Sequence, residues 1–219
     1  MLGNLLSRAD ANESLSETFG YDSLNRLTST TVGVSLSKVF SYDPLGNLLS
    51  KSDVGNYVYP AAGQALPHAV MSISGSTLNT TFTYDPNGNQ TAGSAAASPT
   101  PHLGSIAVIT DETGAVAERL SYDAWGKHRF PNGADDPSGS ITSQTTVGFT
   151  GQEELADVGL VHLNGRVYDP VIGRMMSADP FVPDPTNGQA WNRFSYVINN
   201  PLAFTDPNGY SGCGDSASN

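Results

Sequence analysis

Charge is scarce in this chain. Only 14% of its 219 residues are Asp, Glu, Lys or Arg, and the ten Lys and Arg stand singly. A nucleic-acid-binding face needs clustered cations, so the scatter argues against that partner. The net charge of −11 suits a surface that simply stays in solution. Cysteine is scarcer still. Cys213 stands alone near the C-terminus, which excludes an internal disulfide and leaves the redox compartment open. With no helix or base around it, it reads as an exposed tail thiol rather than a nucleophile. Long apolar runs are missing too. No stretch approaches the roughly 20 residues that would span a bilayer. The opening MLGNLLSRADANESLSETFGYD lacks a charged segment followed by an apolar run, so no signal peptide is expected in this chain. GxSxG, HExxH, CxxC and P-loop patterns are absent, and His68, His102, His128 and His162 have no ligand spacing. No cofactor or metal is expected. Turns such as DPLGN and DPNGN hold too few oxygen ligands for a dedicated calcium loop.

What is present is repetition. Tyr-Asp pairs fall at Tyr21-Asp22, Tyr42-Asp43, Tyr84-Asp85, Tyr122-Asp123 and Tyr168-Asp169, spaced by 21, 42, 38 and 46 residues. Most follow an apolar residue and precede a Pro/Gly/Asn turn: FGYDSLNRL, FSYDPLGNL, FTYDPNGNQ, LSYDAWGKH, RVYDPVIGR. Units of about 20 residues cannot bury a hydrophobic face alone and must stack on neighbours. In DPLG the Asp caps, the Pro presets φ and the Gly takes the exit geometry, which is the grammar of a type I turn. Each Tyr is expected to end a strand, packing its ring on the next repeat and satisfying its hydroxyl at the edge. With 23 Gly and 14 Pro among recurrent aromatic and β-branched residues, the fold class is all-β: a strip of hairpins, partial and open, with long loops and little helix.

Along the chain, residues 1–18 are expected to form a poorly ordered extension and 19–92 the YD-repeat hairpins. The low-complexity AGSAAASPTP marks 93–101 as a linker or deletion scar. Residues 102–210 resume strand grammar, with IAVIT, a DETG turn, AVAERLSYD and the turn DAWGK. Residues 132–146 read as a polar loop, GQEELADVGL as one helical turn, and 211–219 as a residual tail.

The segments HLGSIAVITDETG, SYDAWGK, FTGQEELADVGLVHLNGRVYDPVIGRMMSADP and NRFSYVINNPLAFTDPNGY closely resemble the Rhs/YD-repeat family, and His102 to Tyr210 resembles its repeat-associated core domain. The resemblance implies a β-strip that spirals into a hollow shell. Family members enclose a variable C-terminal toxin in it, in Tc-type insecticidal complexes and polymorphic interbacterial toxins, and teneurins use a similar barrel for adhesion. It also implies an intramolecular aspartyl protease that cuts after a D-P-x-G-hydrophobic sequence. By that pattern Asp206 in DPNGY and Asp179 in SADP are the two acids, Arg166 in NGRVYDP is the attendant arginine, and the scissile bond joins Tyr210 to Ser211. The chemistry is sensible in its own right. Two neighbouring carboxylates share a proton, so one can activate water while the other acts as acid. Asp-Pro-x-Gly is equally ordinary turn grammar, and the turns at 43 and 85 show it without catalysis.

The chain departs from the family pattern. Val182 stands where the first motif has glycine, the two acids are 27 residues apart, and Asp184-Pro185 offers an alternative first Asp. SPTP replaces the usual acidic lead-in to HLGS, as an internal deletion would leave it. The nine residues after the proposed cut are too few for a folded toxin. The expectation is a fragment of a toxin-encapsulating shell that is at most a single-turnover autoprotease and lacks cargo. The alternatives are a non-catalytic binding scaffold for carbohydrate or a partner, or an inert remnant. Expected partners are other YD-repeat shell segments or a missing N-terminal part, with a cell-wall glycan or toxin-complex partner beyond them. The expected location is bacterial, secreted or cell-surface.

Overall fold

The computed structural model describes residues 4–210 apart from 12–13, 35, 62, 76–77, 87, 89, 93–102 and 183. The expected linker at 93–101, His102, the tail at 211–219 and Cys213 therefore lie outside the described residues.

Eight antiparallel strands form one sheet in sequence order: β1 (Ser7–Asp10), β2 (Leu15–Tyr21), β3 (Leu27–Val32), β4 (Leu36–Tyr42), β5 (Leu48–Lys51), β6 (Gly55–Val58), β7 (Ser72–Ser74) and β8 (Asn79–Thr81). The meander continues in the pair β9 (Thr83–Tyr84) and β10 (Gln90–Ala92). A hairpin of β11 (Val108–Thr110) and β12 (Val116–Arg119) follows. A second sheet has the order β13 (Glu153–Leu155), β14 (Leu160–His162), β15 (Val167–Asp169) and β16 (Arg174–Met175). The sheets are open and antiparallel, and among the described residues helix is confined to single 3₁₀ turns. One of these, Ala156–Val158, lies inside the expected GQEELADVGL turn and ends at left-handed Gly159. No described helix is long and apolar enough to cross a membrane.

One expectation is corrected. The loose extension expected over 1–18 instead contains β1 and the start of β2, paired from Ser7↔Thr18 to Asp10↔Leu15. The cause is a buried carboxylate. Glu17 receives Arg8 from β1 and, at 2.7 Å, Nη2 of Arg129 from the second half of the chain. Leaving either cation out would strand a buried charge, so the first strand is pinned.

The repeat grammar has a direct structural meaning. The Tyr21, Tyr42 and Tyr84 hydroxyls donate to carbonyls of the preceding repeat, Leu5, Leu27 and Val70, at 2.9, 2.7 and 3.0 Å. Tyr168 reaches Trp125 O at 2.6 Å. After Tyr21, Tyr42 and Tyr122 the Asp caps the turn: one oxygen of Asp22, Asp43 and Asp123 takes backbone N–H groups two and four residues on. A bulge at Gly20/Tyr21 and at Ser41/Tyr42 marks where the strand enters the turn. Tyr21→Phe should therefore cost about 1 kcal/mol, the net worth of one part-buried hydrogen bond, read as a shifted urea midpoint at unchanged m.

The strip packs one face only. Phe19, Leu27, Phe40, Leu48, Tyr57, Ile73 and Phe82 join Ala124, Trp125, Val171, Ile172 and Leu202 in a single buried cluster, so the hairpins and the C-terminal half share a core. Phe40 meets Trp125 edge-on at 5.9 Å. Polarity is inverted relative to an ordinary half-buried sheet. Arg8, Glu17, Lys38 and Lys51 point to the packed face. The register places Thr18, Ser29, Thr31, Ser37, Val39, Ser41, Ser50, Asn56, Ser72, Ser74 and Thr81 on the solvent face, which carries no charged strand residue.

The inward cations meet a second set of acids. Lys38 Nζ lies 2.9, 3.3 and 2.8 Å from Asp53, Asp123 and Asp135. Lys51 Nζ lies 3.1 and 3.6 Å from Asp53 and Asp123, and Lys127 reaches Asp135 at 3.1 Å. Burial works against the charges, yet the lysines hold Asp53 and Asp123 below the usual carboxylate range.

Candidate functional site

The three residues singled out by sequence come together. Arg166, immediately before β15, sends one nitrogen, Nη2, to Asp179 Oδ2 at 2.8 Å and to Asp206 Oδ2 at 3.4 Å. The carboxylates are thus no farther apart than those two contacts laid end to end. All three are buried: Arg166 and Asp179 are 6% exposed and Asp206 1%.

Local chain chemistry explains the convergence. Asp179 Oδ1 accepts from Phe181 N at 2.8 Å, the ordinary capping bond of an Asp-Pro turn. Its other oxygen faces Arg166, so capping and the arginine contact use different atoms. Asp206 opens the DPNG turn, whose Gly209 has φ +78 and lies against the Leu163–Arg166 turn. A Cβ there would sit 2.6 Å from Arg166 N. Only glycine allows that approach, and it lets Arg166 Nε donate to Gly209 O. Gly165 N donates to Asn208 O at 3.0 Å, tying the two turns together. Tyr210 is held at the rim: its hydroxyl donates to Gly165 O at 3.0 Å, its ring meets Phe181 edge-on at 6.2 Å, and the Arg166 guanidinium lies 5.9 Å from its centroid. Ser211, across the proposed scissile bond, lies outside the described residues.

Electrostatics separates the groups. Burial raises Asp179 above the usual carboxylate range. The Phe181 N–H and Arg166 pull it back, and Asp206 adds to the rise. Burial pulls Arg166 down while both carboxylates support its charge, and a guanidinium stays cationic throughout. A cavity of about 30 Å³ beside Arg166 and Asp179 is lined by Phe181, Asn192, Arg193 and Val197 among others. That is room for a water molecule and little more.

Two further points were not read from sequence. Arg193 serves both partners, since its carbonyl accepts Asp179 N at 2.8 Å and Arg166 Nη1 at 3.1 Å, and its Nε donates to Asp179 O. The NRFSYVINN motif carrying it was visible, but nothing in it signals this role. The alternative first acid, Asp184, caps its own turn, accepting from Thr186 N and Oγ1 at 2.9 and 2.6 Å. A separate cavity of about 520 Å³ holds His128, whose Nε2 lies 2.8 Å from Glu154 Oε2, with Ile141, Leu160 and Pro170 in its walls. Among the described residues no group of His, Cys, Asp and Glu could hold a metal ion.

Comparison with known proteins bears on part of this site, since Arg166 and Asp179 fall within the matched residues and Asp206 falls beyond them. The family model described as teneurin YD-shell matches residues 97–202. The chain superimposes on solved TcdB2-TccC3 structures: the form without the hypervariable C-terminal region at TM-score 0.57 and 17% identity, and the TcdB2-TccC3-Cdc42 form at 0.56 and 15%. These alignments cover 94% and 96% of this chain and 16% of each partner, and at that identity they establish the fold. The chain carries an Rhs/YD-repeat shell-like domain. The shell-like domain is also similar in sequence to the tRNA nuclease WapA of Bacillus subtilis (strain 168), 29% identical over 107 residues, 49% of this chain and 4% of that protein. Double-stranded DNA deaminase toxin A of Burkholderia cenocepacia (strain H111) is 35% identical over 115 residues, 52% of this chain and 7% of that protein. The chain thus spans a small fraction of each relative's length.

Proposed function

We propose that this chain is a segment of a bacterial Rhs/YD-repeat toxin shell whose core cuts its own backbone between Tyr210 and Ser211. The observation that carries the reading is the arrangement around Arg166, where two buried carboxylates meet one guanidinium whose Nε holds the carbonyl of Gly209, one residue before the proposed bond. The step is an aspartyl hydrolysis. Asp206 takes a proton from water, whose oxygen bonds to the Tyr210 carbonyl carbon. Asp179, which burial inclines to hold a proton, supplies it to the carbonyl oxygen. The C–N bond then breaks as the Ser211 nitrogen takes the proton held on Asp206, and one hydroxyl returns its proton to Asp179 as the carbonyl reforms, leaving Tyr210 as a carboxylic acid that ionises in water. The products are a Tyr210 carboxylate and a Ser211 amine, released once per chain without a cofactor. The division 19–92 for hairpins and 102–210 for the core belongs to the same proposal. So do partnership with further shell segments or a toxin complex and a secreted or cell-surface location, supported by likeness to a named toxin and to Tc-complex structures.

Intact-mass measurement of the purified chain tests the cut. The wild type is expected to lose residues 211–219, and Asp206→Asn is expected to retain them, slowed at least 1,000-fold as for loss of an acid–base pair. A wild type that keeps its full mass through prolonged incubation at mildly acidic and neutral pH ends the proposal. A second reading, a carbohydrate- or partner-binding scaffold, draws on the 520 Å³ cavity, which is in the size range of ligand sites. Glycan binding lost in Glu154→Gln by an uncut wild type would favour it.

A further inference from the structure

Residues 192–199 join two distant places. At one end, Asn192 and Asn199 both donate side-chain amides to the carbonyl of Gly46, at 2.7 and 3.0 Å, and Arg174 Nη2 approaches the same oxygen at 3.4 Å. Gly46 lies in the Asp43–Asn47 turn of the hairpin strip. The seating is close: a Cβ on Gly46 would stand 2.4 Å from Gln189 Oε1, and Gln189 Nε2 donates to Pro44 O at 3.2 Å. At the other end, Arg193 holds Asp179 and Arg166 through its carbonyl.

The backbone between these ends is strained. Val197, Ile198 and Asn199 are consecutive residues in the left-handed region, at φ 42, 55 and 59. Two are β-branched, the type least tolerant of it. Val197 and Ile198 also line the small cavity beside Asp179. Strain of this kind persists only where surroundings over-determine the conformation. Here Val197 is buried among Tyr168, Tyr196 and Phe149. Asn199 is tied at both ends of its amide, Nδ2 to Gly46 O and Oδ1 from Arg174 Nη1 at 3.2 Å. Without the Gly46 carbonyl one of those ties is gone, and the turn can relax toward right-handed geometry, carrying Ile198 and Arg193 away from the acids.

We propose that the Gly46 carbonyl is the docking point through which the hairpin strip holds the acid pair in working geometry, with Asn192 and Asn199 as positioning residues. This inference rests on the reading of Asp179 and Asp206 as a self-cleaving centre. The cut then waits for the repeat turn to seat, so a chain whose strip is not yet folded leaves its own backbone intact.

The test uses full-length Gly46→Ala, which wedges the turn, and Asn199→Ala, which removes the tie and adds no bulk. Thr31→Val serves as a control that loses one exposed side-chain hydrogen bond, to Ser37, on the solvent face of the strip. Two readouts are taken: the rate of loss of 211–219 by intact mass across pH, and amide exchange of peptides across the whole chain, those covering 176–200 among them. Expected are at least tenfold slower cutting, a displaced pH profile and faster exchange at 176–200 beyond any at the mutated turn in both variants, with Thr31→Val like wild type in all three. Asn199→Ala cutting at the wild-type rate overturns the inference, as does exchange rising evenly over the whole chain. Should the wild type not cut at all, the self-cleavage reading fails. Exchange then still decides the coupling: a local rise at 176–200 upholds it, and none overturns it.

Discussion

Lys51→Ala is expected to lower the unfolding free energy by about 3–5 kcal/mol, as when one partner of a buried ion cluster is removed. Lys51 has no exposed surface, and its ammonium sits between Asp53 and Asp123. The cluster of Lys38, Lys51 and Lys127 with Asp53, Asp123 and Asp135 balances three charges of each sign, so deleting one cation leaves a net negative charge inside the protein. Domains of ordinary stability have about 5–15 kcal/mol to lose, so the urea midpoint should drop by about a fifth or more. Lys51→Met combined with Asp123→Asn restores charge balance and keeps the capping oxygen that Trp125 N and Lys127 N need. It should recover much of the loss. A single-variant loss under about 1 kcal/mol would mean that water reaches these charges.

Asp169 should make the chain less stable as pH rises from 4 to 7. Its setting resembles that of Asp123, since each caps its turn with one oxygen, Asp169 accepting Val171 N and Ile172 N at 2.9 and 3.2 Å. The difference lies in the counter-charge. Asp123 has lysines in contact and is held low, whereas Asp169 has only the more distant influence of Lys51, and burial pushes it up to about 7. Burial wins where no cation touches the carboxylate. A raised carboxyl favours folding when protonated, so its contribution is fully present below pH 3.8 and lost once pH has risen through about 7. The span corresponds to a loss on the order of 4 kcal/mol. His68, lowered by burial, works in the opposite sense, adding stability as pH rises toward 6.5. The clean measurement is therefore a difference. The stability of Asp169→Asn minus that of wild type should be near zero at pH 4 and grow to several kcal/mol by pH 7.5. A flat difference would show that the two backbone donors alone keep Asp169 ionised.

Both effects mark where sequence reading stops. The turn chemistry of each YD unit is local, so the hairpins, the capping Asp residues and the edge-seeking Tyr hydroxyls could be read from spacing. The convergence of Asp179, Asp206 and Arg166 was legible only through family resemblance. Turn grammar accounts for both acids equally well, and it does account for one oxygen of Asp179. The lysine–aspartate cluster was illegible because its members are scattered singly and meet only when strip and C-terminal half pack. The left-handed run at 197–199 was hidden for a similar reason: Val and Ile in sequence suggest strand, and only burial of Val197 and the two-ended tie on Asn199 reverse that preference. The strand at Ser7–Asp10 was missed because its anchor, Arg129, lies in the other half of the chain.

The inverted polarity of the eight-stranded sheet has a consequence for salt. Mobile ions screen charges that face water, with a Debye length of about 10 Å at 0.1 M, and hardly reach those enclosed between packed layers. Because this strip keeps its cations on the covered side and presents hydroxyls and amides outward, added electrolyte has little to act on. Its association with the rest of the molecule should hold nearly constant from dilute buffer to molar sodium chloride.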